Sequence, residues 1–516
     1  MDNRMEYIAA RSISGLPTES IGEYTLPDYN GDVKKILYTD ARVIPSRGFI
    51  SGDLIEYSGV VLYSVIYLDS EDKLSHAELT SDYEGTVKAA EGIRDFDIDT
   101  VLTGYSVRPV GPRKLAARST LSSTAYVTRD SELVSGECDG YEPEAKMGKI
   151  KLATVHMDKS GEREYAEELC HLDGVILDDV DVLYTDCKTE KCELTLGEEG
   201  VIYRGELAVC ALIKEGDGAP FSLEKKIPFE ERFFDGAAPY LDMTDVYATP
   251  NLTVSSIKCT PSADEDGVGI VVSLITEGKV RVVGNRELEV MLDGYLVGCE
   301  CERKYEELDY TESGALKEAL IKVGDTLARD VIGLEGTRNI LLPSAEVKIH
   351  EVNTDEGLEI TGETRFSGIA CKIKEDGAPE YTQIKINVPF KEKVNNSSQF
   401  CDKSHLEYKA ELVNVAIGLN NESVNPSADV LLRIMPSCDK KVRYITSLEP
   451  GGEEEIKDES VVTVYYPEDG ETLFDIAKKY KVQAIRIASV NAITESVFAR
   501  SDEPVRALGI EKVVIR

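Results

Sequence analysis

The chain is 516 residues long, with 95 acidic and 58 basic side chains and a formal net charge of −37. Its 42% hydrophobic and 30% charged residues suit a folded, soluble chain better than a disordered or membrane-embedded one, and its length suggests about three or four domains. So negative a surface repels phosphate backbones and anionic headgroups, so no nucleic acid and no direct membrane insertion are expected; proteins or neutral ligands are the expected partners.

In chain order, residues 1–20 lack the continuous apolar core of a secretory leader. No stretch approaches the roughly 18–20 apolar residues that a membrane-spanning helix needs. The apolar run 54–68, interrupted by Glu56 and two serines, reads as a buried strand. The eleven cysteines are scattered and form no CxxC pair; only Cys187 with Cys192 and Cys299 with Cys301 stand close together. Free thiols in a reducing, cytoplasmic compartment are expected.

Internal similarity organises the first 450 or so residues. Ile36-Leu-Tyr-Thr-Asp40 returns as Val182-Leu-Tyr-Thr-Asp186, 146 positions later; Tyr57-Ser-Gly59 returns as Tyr203-Arg-Gly205, and Tyr83 as Phe229, at the same spacing. Asp217-Gly-Ala-Pro220 and Pro228-Phe-Glu-Glu231 return as Asp376-Gly-Ala-Pro379 and Pro389-Phe-Lys-Glu392. Gly111-Pro-Arg-Lys-Leu115 is matched with Gly284-Asn-Arg-Glu-Leu288. Three divergent copies of one unit are expected, near 1–128, 150–305 and 325–448.

Within each copy the signals are extended. The segments 252–255, 288–290, 347–350 and 384–388 alternate apolar with polar at a period of two. Asp-Gly-Ala-Pro is turn chemistry between paired strands. A mainly β fold follows, with three antiparallel sandwich or barrel-like domains. A helix is predicted at 315–321, between copies two and three, and a flexible acidic, glycine-rich linker at 449–459.

Residues 460–516 differ from the rest: eight basic and eight acidic side chains leave them neutral. Leu473, Ile476, Ala477 and Tyr480 form the apolar stripe of one helix, and a second short helix fits 484–491. Strands at 461–466 and 512–515 flank the pair, giving the order β-α-α-β.

No catalytic constellation stands out, and no enzyme activity is expected. The histidines, at 76, 156, 171, 350 and 405, are dispersed, with no HExxH motif. Cys170 and His171 are sequence neighbours, which point apart in regular structure. Gly267-Val-Gly269 lacks the third glycine of a dinucleotide loop and reads as a strand-edge kink. Glu453–455 are read as linker, so no metal and no cofactor are expected. Gly59, Gly205, Tyr83, Phe229 and Phe390 are read as packing and turn positions in preference to a thrice-repeated binding face.

The segment Val464-Tyr-Tyr-Pro-Glu-Asp-Gly-Glu-Thr-Leu-Phe-Asp-Ile-Ala-Lys-Lys-Tyr480, continued by Ile485 and Asn491, resembles the LysM domain. Glu471 stands where that family has aspartate, and the segment after Asn491 is longer. Three β-rich copies followed by one LysM resemble the SPOCS-repeat spore-coat proteins of endospore-forming clostridia. The resemblance implies a spore-coat morphogenetic scaffold in the mother-cell cytoplasm, at the forespore surface. Its LysM domain would dock the coat's basement-layer ATPase, with other coat proteins as further partners.

Phe474, Lys478, Lys479, Lys481 and Arg486 are the candidate partner-binding patch, or else a solvated helix face. The alternative is binding of N-acetylglucosamine polymers, peptidoglycan or chitin, in a groove that the resemblance places at Gly470, Glu471, Thr472 and Leu473 on one side and around Asn491 and Ile493 on the other.

Overall fold

Alternation of apolar and polar residues becomes alternation of burial throughout the chain. In Leu74–Lys88, for instance, Ala77, Leu79, Ser81, Tyr83 and Val87 are buried and Glu78, Thr80, Asp82, Glu84 and Thr86 between them face outward. The computed structural model describes residues 4–515 apart from 29, 90, 139, 142, 217, 264–266, 354–357, 376, 395–403, 452–461 and 494–502, and it is mainly β.

One strand-pairing plan occurs three times. The first set comprises β1 (Arg4–Ser14), β2 (Thr18–Thr25), β3 (Val33–Ser51), β4 (Leu54–Asp69), β5 (Leu74–Lys88), β6 (Asp95–Gly111) and β7 (Lys114–Val134). Strands β3-β4-β5 form one antiparallel sheet; in the other, β7 pairs with β6 on one side and with β1 and β2 on the other.

The second set is β8 (Pro143–Lys159), β9 (Arg163–Asp173), β10 (Val180–Gly197), β11 (Gly200–Glu215), β12 (Phe221–Phe233), β13 (Met243–Ala263) and β14 (Gly267–Leu296). Here β10-β11-β12 form the three-stranded sheet, and β14 pairs with β13, β8 and β9.

The third set is β15 (Cys301–Ser313), β16 (Lys317–Gly324), β17 (Leu327–Ala328), β18 (Thr337–Asn353), β19 (Leu358–Ile373), β20 (Pro379–Val394), β21 (Ser404–Leu419) and β22 (Ser423–Pro450). Strands β18-β19-β20 form one sheet, and β22 pairs with β15, β16, β17 and β21.

Three local expectations are corrected. Residues 317–321 belong to a strand, not a helix, because Leu320 and Ile321 pair with Leu431 and Val430 of β22; tertiary pairing overrides the helical propensity of the segment. By pairing, β15 from Cys301 and β16 from Lys317 join the sheet of β22. The likeness between 111–115 and 284–288 is not an equivalence of position: the first is the turn joining β6 to β7, the second lies inside β14 opposite β8. The end of the expected linker, from 452 on, lies outside the described residues; Glu449 and Pro450 are still strand, paired with Glu302 and Cys301.

In each set a single apolar core is shared between its two sheets. The recurrent glycines are explained by what covers them. Gly59, Gly205 and Gly362 lie directly across from Tyr83, Phe229 and Phe390 on the neighbouring strand. In all three pairs the ring lies over the glycine, where a Cβ would come within 2.8 Å of ring atoms.

The three sets also share a core among themselves. Leu37, Tyr38 and Ile66 from the first, Leu183, Tyr184 and Leu212 from the second, and Leu341, Leu342 and Ile369 from the third pack into one buried cluster. The register shifts between Ile36 and Tyr38, between Val182 and Tyr184, and between Leu341 and Ser344. These bulges let adjacent residues bury together, which a regular strand forbids. The rings of Tyr38 and Tyr184 meet edge to face at 5.7 Å, and the Tyr184 hydroxyl donates to Asp40 Oδ2 at 3.1 Å. Burial, and then the nearby Asp186, raise the Asp40 carboxyl above its ordinary range.

An ionic cluster joins the sets a second time. Lys279 bonds Asp97 at 3.2 Å and Asp99 at 2.9 Å, Arg281 pairs with Asp99 at 2.8 Å, and its guanidinium lies 3.4 Å over the Tyr126 ring. The Tyr126 hydroxyl donates to Glu407 of the third set. Burial, and then the Asp99 charge, push the Glu407 carboxyl up to about 7.

After β22 the chain forms a small module: β23 (Thr463–Tyr465), α1 (Leu473–Tyr480), α2 (Ala484–Val490) and β24 (Val513–Ile515), with β23 and β24 paired antiparallel. Among the described residues nine cysteines are free thiols, and burial pushes Cys210 up to about 11 and Cys187 to about 12. Against the expectation of free thiols, Cys438 is disulfide-bonded.

Two outcomes follow. Leu212→Ala empties part of the shared core and should cost about 2–5 kcal/mol in urea unfolding, whereas Leu194→Ala, at a residue 37% exposed, should stay within about 0.5 kcal/mol. Glu407 binds its proton more tightly folded than unfolded, so its contribution to stability declines as pH rises from about 4.5 through 7. Glu407→Gln keeps an acceptor for Tyr126 without the charge. The variant should therefore gain stability over the parent at pH 8 and none at pH 4.5, as read from melting temperatures across that range.

Candidate functional site

The carboxy-terminal module carries every site residue expected from sequence, and its local chemistry accounts for their placement. Gly470 has φ +93°, a backbone conformation that permits the turn into α1 and suits glycine. Thr472 caps α1: its hydroxyl accepts from the Asp475 amide at 3.2 Å while Asp475 accepts from the Thr472 amide at 2.9 Å. Leu473, Ile476 and Ala477 turn inward onto Ala484, Ile487 and Ala488 of α2.

The positions of the expected glycan groove are used internally. The Glu471 carboxylate accepts from the Tyr465 hydroxyl at 2.9 Å and the Glu468 amide at 2.7 Å. Its backbone carbonyl accepts from Val505, and Thr472 bridges to Pro504, so residues 503–505 lie along that wall. Leu473 is 3% exposed. The Asn491 amide donates to Ile487 and Val514 carbonyls and accepts from the Val514 amide at 2.7 Å, locking α2 to β24. Ile493 packs into the module's core.

The expected partner patch is divided. Phe474, Lys478 and Lys481 face the end of the chain's own β14 and the connection from it to β15. Tyr295, 1% exposed, belongs to the module's core; its ring meets Phe474 at 5.4 Å and its hydroxyl donates to the Val482 carbonyl at 2.7 Å. Lys478 Nζ reaches both oxygens of Asp293, at 2.6 and 2.5 Å, and Lys481 pairs with Glu300. The Gly298 amide donates to the Lys481 carbonyl at 2.8 Å, the left-handed C-cap of α1.

Lys479 lies elsewhere, its ammonium 3.0 Å from the Tyr465 hydroxyl and 4.6 Å over that ring. Arg486 is exposed, and its side chain has no ion pair among the described residues.

Among the side chains that remain open on the module, several are apolar. Val462, Val464 and Tyr466, on alternate positions along β23 and its flanks, are 54%, 49% and 67% exposed, and Ile485 and Val490 of α2 also face solvent. Sequence reasoning missed the docking residues Asp293, Tyr295 and Glu300, because nothing in their local pattern reports a partner almost two hundred positions away. It also missed the outward face of β23, although the alternation Val462, Val464, Tyr466 is a readable signal for a strand apolar on its outer side.

Elsewhere, the Cys170 thiol is raised by burial and by Glu168, the reverse of an activated nucleophile. Among the described residues, no three His, Cys, Asp or Glu side chains are grouped to hold a metal, and no helix is long and apolar enough to cross a membrane. Comparison with protein-family models, curated proteins and solved structures yields no match.

The Lys478–Asp293 pair is part-buried at 29% and 28% exposure, so reversing one charge should undock the module. Lys478→Glu should speed amide exchange at 294–301 and 473–482, and Lys478→Asp combined with Asp293→Lys should restore protection.

Proposed function

We propose that the protein is a non-enzymatic scaffold and adaptor of spore-coat assembly. On this reading the three sets are SPOCS-like sandwich domains fused into one body, and residues 460–516 are a LysM domain turned to protein binding. It would hold the basement-layer ATPase of the coat, and other coat proteins, at the forespore surface in the mother-cell cytoplasm. Several weak contacts on one chain gain effective concentration at an assembling surface, which is how a tether without catalysis works.

The observation that carries the adaptor reading is the orientation of the docked module. The body takes up Phe474, Lys478 and Lys481, while Val462, Val464 and Tyr466 about β23, and Ile485 with its neighbour Arg486 on α2, remain toward solvent. Exposed apolar side chains beside an arginine fit a protein-binding surface. Glycan binding at Gly470–Leu473 is the weaker reading, because residues 503–505 already occupy that side of the turn.

The test is a pull-down with the full-length chain from sporulating-cell lysate, run beside chitin and peptidoglycan retention. Recovery of a coat ATPase, reduced at least tenfold by Val464→Lys combined with Tyr466→Glu, is the expected result. Retention on either glycan with no protein partner would overturn it.

A further inference from the structure

A cleft of about 530 Å³ opens where the β1–β7 sheet of the first set meets β8 of the second and β15 and β22 of the third. Its volume lies in the range of small-ligand sites. Its charge runs against that of the molecule. The charged side chains of its lining are Arg11, Arg129, Lys440, Lys441, Asp309 and Asp439, a net of +2 in a chain of −37.

Most of these charges already have partners. Lys440 pairs with Glu312, and Lys441 with Glu307 at 2.7 Å and Asp309 at 3.9 Å. Asp439 accepts from Thr311 at 2.8 Å and lies 2.9 Å from His405 Nε2. Arg11 and Arg129 are left: among the described residues neither guanidinium makes a hydrogen bond or an ion pair at contact distance, and Arg11 only adds its field to that around Asp439.

Register brings the two arginines together. Arg129 of β7 is paired with Ala9, and Arg11 is two residues further along β1, so both side chains leave the same face of the sheet as diagonal neighbours. The same face carries Ile13 and Val127, while Leu152 lines the cleft from β8 and Tyr7 and Tyr310 complete its less polar part.

We propose that this cleft binds a small anion on an apolar or aromatic body, with Arg11 and Arg129 taking the carboxylate or phosphate group and Ile13, Val127 and Leu152 the body. Planar guanidinium groups match oxyanions in two-point contact, and two of them on one face, neither in a contact ion pair among the described residues, provide the charge that such a ligand needs. Because the cleft is built from three sets, a bound ligand would also tie them together, stabilising the assembled body in proportion to its occupancy.

The experiment is a fluorescence titration of the full-length protein with 8-anilinonaphthalene-1-sulfonate, an aromatic anion. It is repeated with phenylphosphate, benzoate and neutral benzyl alcohol as competitors. The expected result is one saturable site, displaced by phenylphosphate or benzoate and not by benzyl alcohol, and weakened at least tenfold in the Arg11→Gln/Arg129→Gln variant.

Both substitutions are at exposed positions, so the variant should melt with the parent, and Arg108→Gln, at an exposed arginine on β6, should bind as the parent does. The stronger of the two anionic competitors identifies the head group. Binding that is absent, that survives the double substitution, or that benzyl alcohol displaces equally well would overturn the proposal.

Discussion

Two adjacent side chains of a regular strand point to opposite faces, and the architecture depends on three places where that rule is broken. At Leu37-Tyr38, Leu183-Tyr184 and Leu341-Leu342 a bulge turns neighbouring apolar residues into the same interior. Each set of strands can then fill its own core with the alternating face of its sheets and still offer a second apolar edge to the other two. Without the bulges the sets would lose this common core and keep only their other contacts, the ionic cluster and the apolar contact of Leu133, Leu152 and Tyr444. With them, the cluster around Ile66, Leu212 and Ile369 is a core that no single set completes.

The polar features follow from that junction. Closing three acidic sets around a common centre brings carboxylates together, and the structure handles each in a different way. Asp40 receives a tyrosine hydroxyl from the second set, Asp97 and Asp99 receive Lys279 and Arg281, and Glu407 retains its proton to about pH 7. The equivalence of the sets is imperfect, with serine at 344 where the others have Asp40 and Asp186. One fewer carboxylate at the centre lowers the repulsion that three would generate. The same convergence leaves the cleft in which Arg11 and Arg129 make no ion pair at contact distance among the described residues.

Much of the fold was legible because burial in sheets is written at a period of two. The recurrent Leu-Tyr-Thr-Asp and the glycines opposite aromatics marked equivalent positions, and the Gly59–Tyr83 and Gly205–Phe229 pairs proved to be cross-strand neighbours. The helix expected at 315–321 failed because Ala, Leu, Lys and Glu favour a helix locally, while β22 offered a strand partner more than a hundred positions away.

The candidate site was legible as elements and not as a surface. The helix stripe Leu473, Ile476, Ala477 identified what the module buries within itself. Which of the remaining residues face the body depends on Asp293, Tyr295 and Glu300, which carry no local mark. Phe474, Lys478 and Lys481 therefore read as free patch residues in the sequence and as a docking face in the fold.

The most direct test of this account is hydrogen exchange on the full-length protein bearing Tyr184→Ala. If the bulged pairs build one shared core, amides of β3 and β18 should lose protection together with those of β10, although the substitution lies only in β10. Faster exchange confined to β10, β11 and β12 would show three independently stable bodies and contradict it.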